Sequence, residues 1–195
     1  MPWFGNKPTA INVLFLALGV AYPVLIYAIL PVAQPTLIVG CLIALLAVRL
    51  AFRLGRTGAS LDAAALVLTI TVMAGLFVGH DSLLAIKAYP VAINCGLAMA
   101  FGVSLIRPPT VIERIARLSE PELDEHGIRY TRNVTKVWVV FFVVNGSISA
   151  WSALAASIEV WTLYNGFIAY LLIGGLFSVE FAVRQIVRRR RTVNS

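Results

Sequence analysis

Residues 137–157, VWVVFFVVNGSISAWSALAAS, run for 21 positions without a charge. That is the length an α-helix needs to cross the roughly 30 Å hydrocarbon core of a bilayer at about 1.5 Å per residue. Working outward, a short junction around Ser157 to Val160 leads into an equally apolar run at 161–183. Four more such runs precede it, at about 10–30, 36–52, 61–79 and 86–106. Six runs predict an all-α polytopic membrane helix bundle of about six transmembrane helices, with 1–195 forming a single transmembrane domain.

Composition points the same way. Of 195 residues, 59% are hydrophobic and 13% charged, and the mean hydropathy is +0.87; a soluble domain is roughly half apolar and a quarter charged. In a soluble chain a net charge of +7 would suggest nucleic acid. Here the basic residues sit between apolar runs and at the C-terminus, so they read as topology and no nucleic-acid partner is expected.

Lys7 precedes the first run, and Arg49, Arg53 and Arg56 lie between the second and third. Arg107, Arg114, Arg117, Arg129, Arg132 and Lys136 lie between the fourth and fifth, and Arg184 with Arg188 to Arg191 follows the sixth. With both termini placed in the cytoplasm, Lys87 alone among 16 Lys and Arg residues falls outside, which predicts a multi-pass protein of the bacterial inner membrane. The run from Ala10 to Leu30 lacks an A-x-A cleavage site and is expected to remain as a helix. PVAQP at 31–35 ends one helix and starts the next, predicting a tight hairpin. Cys41 and Cys95 lie inside apolar runs without a CxxC pair and read as packing residues. Trp161 and Tyr164, with Trp151 nearby, read as an interfacial aromatic belt.

The long stretch between spans, 107–136, is an amphipathic cytoplasmic loop. Thr110 and Glu113 have capping-box spacing, starting a short helix with Val111, Ile112, Ile115 and Leu118 on an apolar face and Glu113, Arg114 and Arg117 on a polar one. Ser119 and Glu122 repeat that signature ahead of a helix running through Arg129, Arg132 and Lys136 into the fifth span. Arg114, Arg117, Arg129 and Arg132 form a candidate cytoplasmic contact surface for protein partners of lipid biosynthesis. Arg188 to Arg191 suit anionic lipid headgroups.

Two polar groups stand out within the spans. Asn145 and Ser149 are mid-membrane, where such side chains knit helices together. His80, Asp81, Lys87, Asn94, Glu159 and Asn165 are expected at the outer face. His80 beside Asp81 has the elements of an acid/base pair, but two histidines make no metal site. GxSxG, HExxH and Gly-rich phosphate loops are absent. No catalytic residue, cofactor or metal is expected.

RPPTVIERIARL (107–118), RYTRNVTKVW (129–138), FFVVNG (141–146) and WTLYNG (161–166) resemble a family of bacterial inner-membrane proteins. Its members are encoded beside ketosynthases, acyl carrier proteins and exporters in aryl-polyene-type lipid clusters. More distantly, Phe77 with His80 and Asp81, the Pro-rich turn into IERI and the Trp-containing span ending in Asn-Gly are similar to the intracellular septation protein A family. The resemblance implies a cell-envelope setting and no catalytic residues. The expected function is a non-enzymatic accessory protein of envelope or aryl-polyene-type lipid biosynthesis or export. The alternatives are a small lipid or solute transporter and a septation-type scaffold.

Overall fold

The computed structural model describes residues 10–57, 61–79, 81–118 and 120–193, and they contain helices without strands. The elements are α1 (Ala10–Ile29), α2 (Pro35–Thr57), α3 (Leu61–Val78), α4 (Ser82–Lys87), α5 (Tyr89–Ile106), α6 (Val111–Ala116), α7 (Glu125–Ala155), α8 (Ile158–Leu163) and α9 (Ala169–Val193). A five-residue π turn, Tyr164–Ile168, joins α8 to α9. Three helical stretches are long and apolar enough to cross a membrane: Ser82–Ile106, Glu125–Ala155 and Ile158–Arg184. Gly19–Ile29, Pro35–Ala51 and Thr69–Val78 are shorter apolar helical stretches among the described residues.

The surface is apolar and the interior holds the polar groups, the inverse of a soluble protein. Val140, Val143, Leu154, Leu171, Phe177 and Phe181 face outward, whereas Asn94, Thr135, Asn145, Ser149, Ser152 and Asn165 are buried. In water such an outer surface would far exceed the apolar patches a monomer exposes.

Helices α2, α3, α5 and α7 pack in sequence side by side, with α5 against α7 the most extensive pairing. Helix α1 returns to α8 and the π turn. Short α4 touches α2, α3, α5 and α7, and at that convergence Tyr22, Ile26, Val39, Ile86, Ala153 and Trp161 form the buried cluster.

Several sequence expectations change here. PVAQP does make a turn, with the Val32 and Ala33 amides donating to the Ile29 carbonyl at 3.0 Å each. Beyond it α1 and α2 splay instead of pairing as a hairpin, leaving a groove of about 500 Å³ between them. Cys41 and Cys95 are exposed, not packed inside. Helix α7 starts at Glu125 with Asp124 as its cap, accepting the Gly127 amide at 2.7 Å, later than the Ser119 signature indicated. Ser119 lies outside the described residues.

Candidate functional site: a buried polar network

Proline sets the network up. Pro90 has no N–H, so the carbonyl of Ile86, four residues earlier, loses its helical donor. The Tyr22 hydroxyl, from α1, supplies the missing donor at 2.8 Å. The helical ladder is interrupted at Ala88, and the next carbonyl, that of Lys87, accepts the Trp161 indole N–H from α8 at 3.2 Å. Pro23 likewise strips the Gly19 carbonyl of its helical donor, and the Tyr170 hydroxyl from α9 approaches that carbonyl at 3.5 Å. In a bilayer every freed backbone group needs a partner from within the protein, and these aromatics provide it.

Lys87 completes this end of the network. Its side chain is buried, and Nζ donates to the carbonyl of Ala156, the C-cap of α7, at 2.9 Å. The cation thus sits in the last turn of α4 and at the end of α7, where two helix dipoles are negative.

Deeper in, two hydrogen-bonded knots join the helices. Asn145 Nδ2 donates to Asn94 Oδ1 at 3.0 Å, Asn94 Nδ2 donates to the Pro90 carbonyl at 2.8 Å, and the Tyr164 hydroxyl donates to Asn145 Oδ1 at 2.8 Å. Gly146 makes the contact possible, because a Cβ there would lie 3.0 Å from Asn94 Cβ. In the second knot Ser149 Oγ donates to Asn165 Oδ1 at 2.7 Å. Asn165 Nδ2 donates to Ser152 Oγ at 3.2 Å and to the Trp161 carbonyl at 2.9 Å. The π turn is what swings Asn165 toward α7, a local use of the extra residue such turns carry.

The structure therefore joins residues that sequence reading kept apart. Asn94 and Asn165, grouped by sequence with the outer-face residues, hydrogen-bond with Asn145 and Ser149 in the buried network, and Lys87 reaches the end of α7 beside them. Asp81 is exposed and caps its own helix, accepting the Leu84 amide at 2.8 Å. Glu159 is exposed in the first turn of α8. His80 lies outside the described residues. Trp161, read as an interfacial aromatic, is fully buried, and Tyr164 is turned inward, while Trp151 does face out. Sequence reasoning missed Tyr22 and Trp161 as network members. The available signal was each proline inside an apolar run, which obliges a donor to come from elsewhere.

Amides, hydroxyls, one indole and one ammonium make up the hydrogen-bonded network; the Glu159 carboxylate acts on the Lys87 ammonium only through space. The network has no general acid or base pair, and its groups are turned on one another. What it does chemically is fix helix positions. Among the described residues no group of three or more His, Cys, Asp or Glu gathers to hold a metal ion. One buried hydroxyl, Thr162 Oγ1 on α8, has no hydrogen-bond partner. Thr162→Val keeps its shape and removes that desolvation cost, so the variant is expected to be about 1 kcal/mol more stable. An unfolding midpoint in mild detergent that fell instead would show that the hydroxyl is satisfied.

The loop is the second candidate site. Thr110 Oγ1 accepts the Glu113 amide and Glu113 Oε2 accepts the Thr110 amide, both at 3.3 Å, so the capping box forms. Ser104 Oγ, at the end of α5, accepts the Val111 amide at 3.1 Å and anchors α6. Glu113 is on the inward face of α6, not on its polar outer face as the sequence pattern suggested. Arg117 follows it: Nη2 and Nε donate to Glu113 Oε1 at 2.8 and 3.0 Å, and Nη1 donates to the Pro121 carbonyl at 3.1 Å. Arg117 is thus an internal brace. Arg114, Arg129 and Arg132 remain exposed. No protein family, curated protein or solved structure matches this chain.

Proposed function

We propose that this chain is a six-span, non-enzymatic accessory protein of the bacterial inner membrane. Both termini are cytoplasmic, and it presents the loop 107–136 to acyl-carrying partners of envelope or aryl-polyene-type lipid biosynthesis. The observation that carries the reading is the loop itself: a capped, braced element that leaves Arg114, Arg129 and Arg132 exposed. A surface of that charge suits an acidic protein partner.

The span count is supported by helix lengths. Helices α1, α2 and α3 have 20, 23 and 18 residues, and even the shortest extends about 27 Å at 1.5 Å per residue. Orientation rests on the distribution of Lys and Arg. The transporter alternative finds less support, because the polar side chains of the interior hydrogen-bond one another and the backbone instead of lining an open route. The lipid setting comes from the resemblance in the loop and in the last two spans.

Comparative lipid mass spectrometry of cells with and without the gene tests the setting, and we expect a specific acyl or polyene lipid to be lost or to accumulate. Charge reversal of Arg114, Arg129 and Arg132 together is expected to reproduce that change with the protein still in the membrane. An unchanged profile in both strains would sink the proposal.

A further inference from the structure

The outermost face of α6 is apolar. Thr110, Glu113 and Ala116 are buried against the body of the protein, where α6 packs on α7 and α5. Val111, Ile115 and Leu118 recur at helical spacing on the opposite side, and Ile115 is 45% and Leu118 58% exposed. The pairing of Glu113 with Arg117 is what lets the polar side turn inward. A helix facing water has the reverse arrangement, with its polar side out.

The polar groups of α6 are occupied from within. The Thr110, Val111 and Glu113 amides donate to Glu113 Oε2, Ser104 Oγ and Thr110 Oγ1, so side chains take up donors that a helix start in water leaves to solvent. At the other end the Arg117 and Leu118 amides donate to the Glu113 and Ile115 carbonyls, and Arg117 Nη1 donates to the Pro121 carbonyl. Backbone closed in this way tolerates surroundings that offer no hydrogen bonds.

Position along α5 selects what covers the face. Ile106 ends the stretch Ser82–Ile106, which is apolar and long enough to cross a membrane. Ser104 sits before that end by about 3 Å along the axis, and the Val111 amide reaches its Oγ at 3.1 Å. The chain therefore turns back after α5, and α6 starts level with the last turn of the span instead of beyond it. At that level α5 also presents carbon outward, with Val103 38% and Ile106 81% exposed. What surrounds the apolar surface of a span is lipid, and the face of α6 continues that surface. Arg107 and Arg114 are exposed beside it, with side chains long enough to extend from an apolar bed to the phosphates.

We propose that α6 lies in the boundary between headgroups and acyl chains of the leaflet at this end of α5. Ile115 and Leu118 are immersed among the acyl chains, and Arg107 and Arg114 stand at the level of the phosphates. The placement rests on the membrane-spanning reading above and not on the loop's protein partner. It leaves the arginines at the height where a soluble partner meets the membrane.

The test places one nitroxide label at a time on the full chain in nanodiscs of phosphatidylethanolamine and phosphatidylglycerol. Cys95, exposed within Ser82–Ile106, is the lipid reference once Cys41 is replaced by serine. With both native cysteines replaced by serine, Glu122→Cys gives the water reference, since Glu122 is exposed in the loop, and Ile115→Cys and Leu118→Cys report on α6. Collisions with dissolved oxygen, which concentrates in lipid, are compared with collisions with a water-soluble nickel chelate. The oxygen-to-nickel ratio at both α6 positions is expected to exceed that at Glu122 severalfold and to shift toward that at Cys95.

A ratio equal to that at Glu122 would put the face in water, and labels shielded from both reagents would mean that protein covers it, a second copy included; either result overturns the proposal. A nickel-accessible Cys95 would sink the membrane-spanning reading of α5 and the proposal with it, whereas oxygen at Cys95 with nickel at α6 sinks the placement alone. If the labelled variants do not fold, the unmodified chain decides. A phospholipid carrying a diazirine in its acyl chain, irradiated in the same nanodiscs, is expected to leave adducts within 111–118, and adducts on α5 with none there would overturn the placement.

Discussion

Trp161→Ala is expected to destabilise the folded chain by about 3 kcal/mol, and Trp161→Phe by about 1 kcal/mol. The indole is fully buried, meets Tyr22 edge-on at 6.4 Å, and donates to the Lys87 carbonyl that the break at Ala88 leaves open. Alanine leaves a cavity and an unpaired carbonyl; phenylalanine leaves mainly the carbonyl. Large aromatic truncations in soluble cores cost about 3–5 kcal/mol. Between helices in a bilayer, lipid is as apolar as the site, so the transfer contribution shrinks and the lower end of that range applies. At about 2–4 °C per kcal/mol for a chain of this size, the alanine variant is expected to lose roughly 6–12 °C in unfolding midpoint in mild detergent. A loss of less than about 2 °C would mean that Trp161 is not the closure between α8 and α4.

The same residue marks the limit of what the sequence reveals. Apolar runs and basic flanks are local properties, so helix positions were legible to within a few residues, as at Ser157 ahead of α8. The Thr110 and Glu113 capping box was legible for the same reason. Which way a helix turns its aromatics depends on neighbours far along the chain. Trp161 and Tyr164 look like interfacial anchors by composition, and they are drawn inward by a carbonyl 74 residues away and by Asn145. The splay of α1 from α2 was equally invisible, because two prolines specify a turn and say nothing of what the helices meet beyond it. Glu113 falls on the polar face of α6 by pattern, and its pairing with Arg117 lets the carboxylate turn inward instead.

Lys87 gains an explanation from this geometry. On the proposed topology it is the one basic residue on the outer side, against the positive-inside tendency. Its ammonium caps the end of α7, and its carbonyl receives Trp161, so its side chain and its backbone tie α4 to two other elements. A cation retained against topology for helix capping is a structural use of charge.

Gly146→Leu is expected to cost at least about 3 kcal/mol, and Gly146→Ala about 1 kcal/mol. Helices α5 and α7 form the most extensive pairing in the molecule, and at their contact a Cβ on residue 146 would lie 3.0 Å from Asn94 Cβ. A methyl group needs the helices to part by a few tenths of an ångström. An isobutyl group pushes them far enough to break the Asn145 to Asn94 bond as well. Small residues at such crossings are what allow membrane helices to approach. The cause can be isolated in a double-mutant cycle, since Asn94→Gly removes the opposing Cβ. Gly146→Ala is expected to cost nothing further in that background, giving a coupling of about 1 kcal/mol. Additive losses in the cycle would mean that Gly146 is needed for its backbone and not for the close approach of α5.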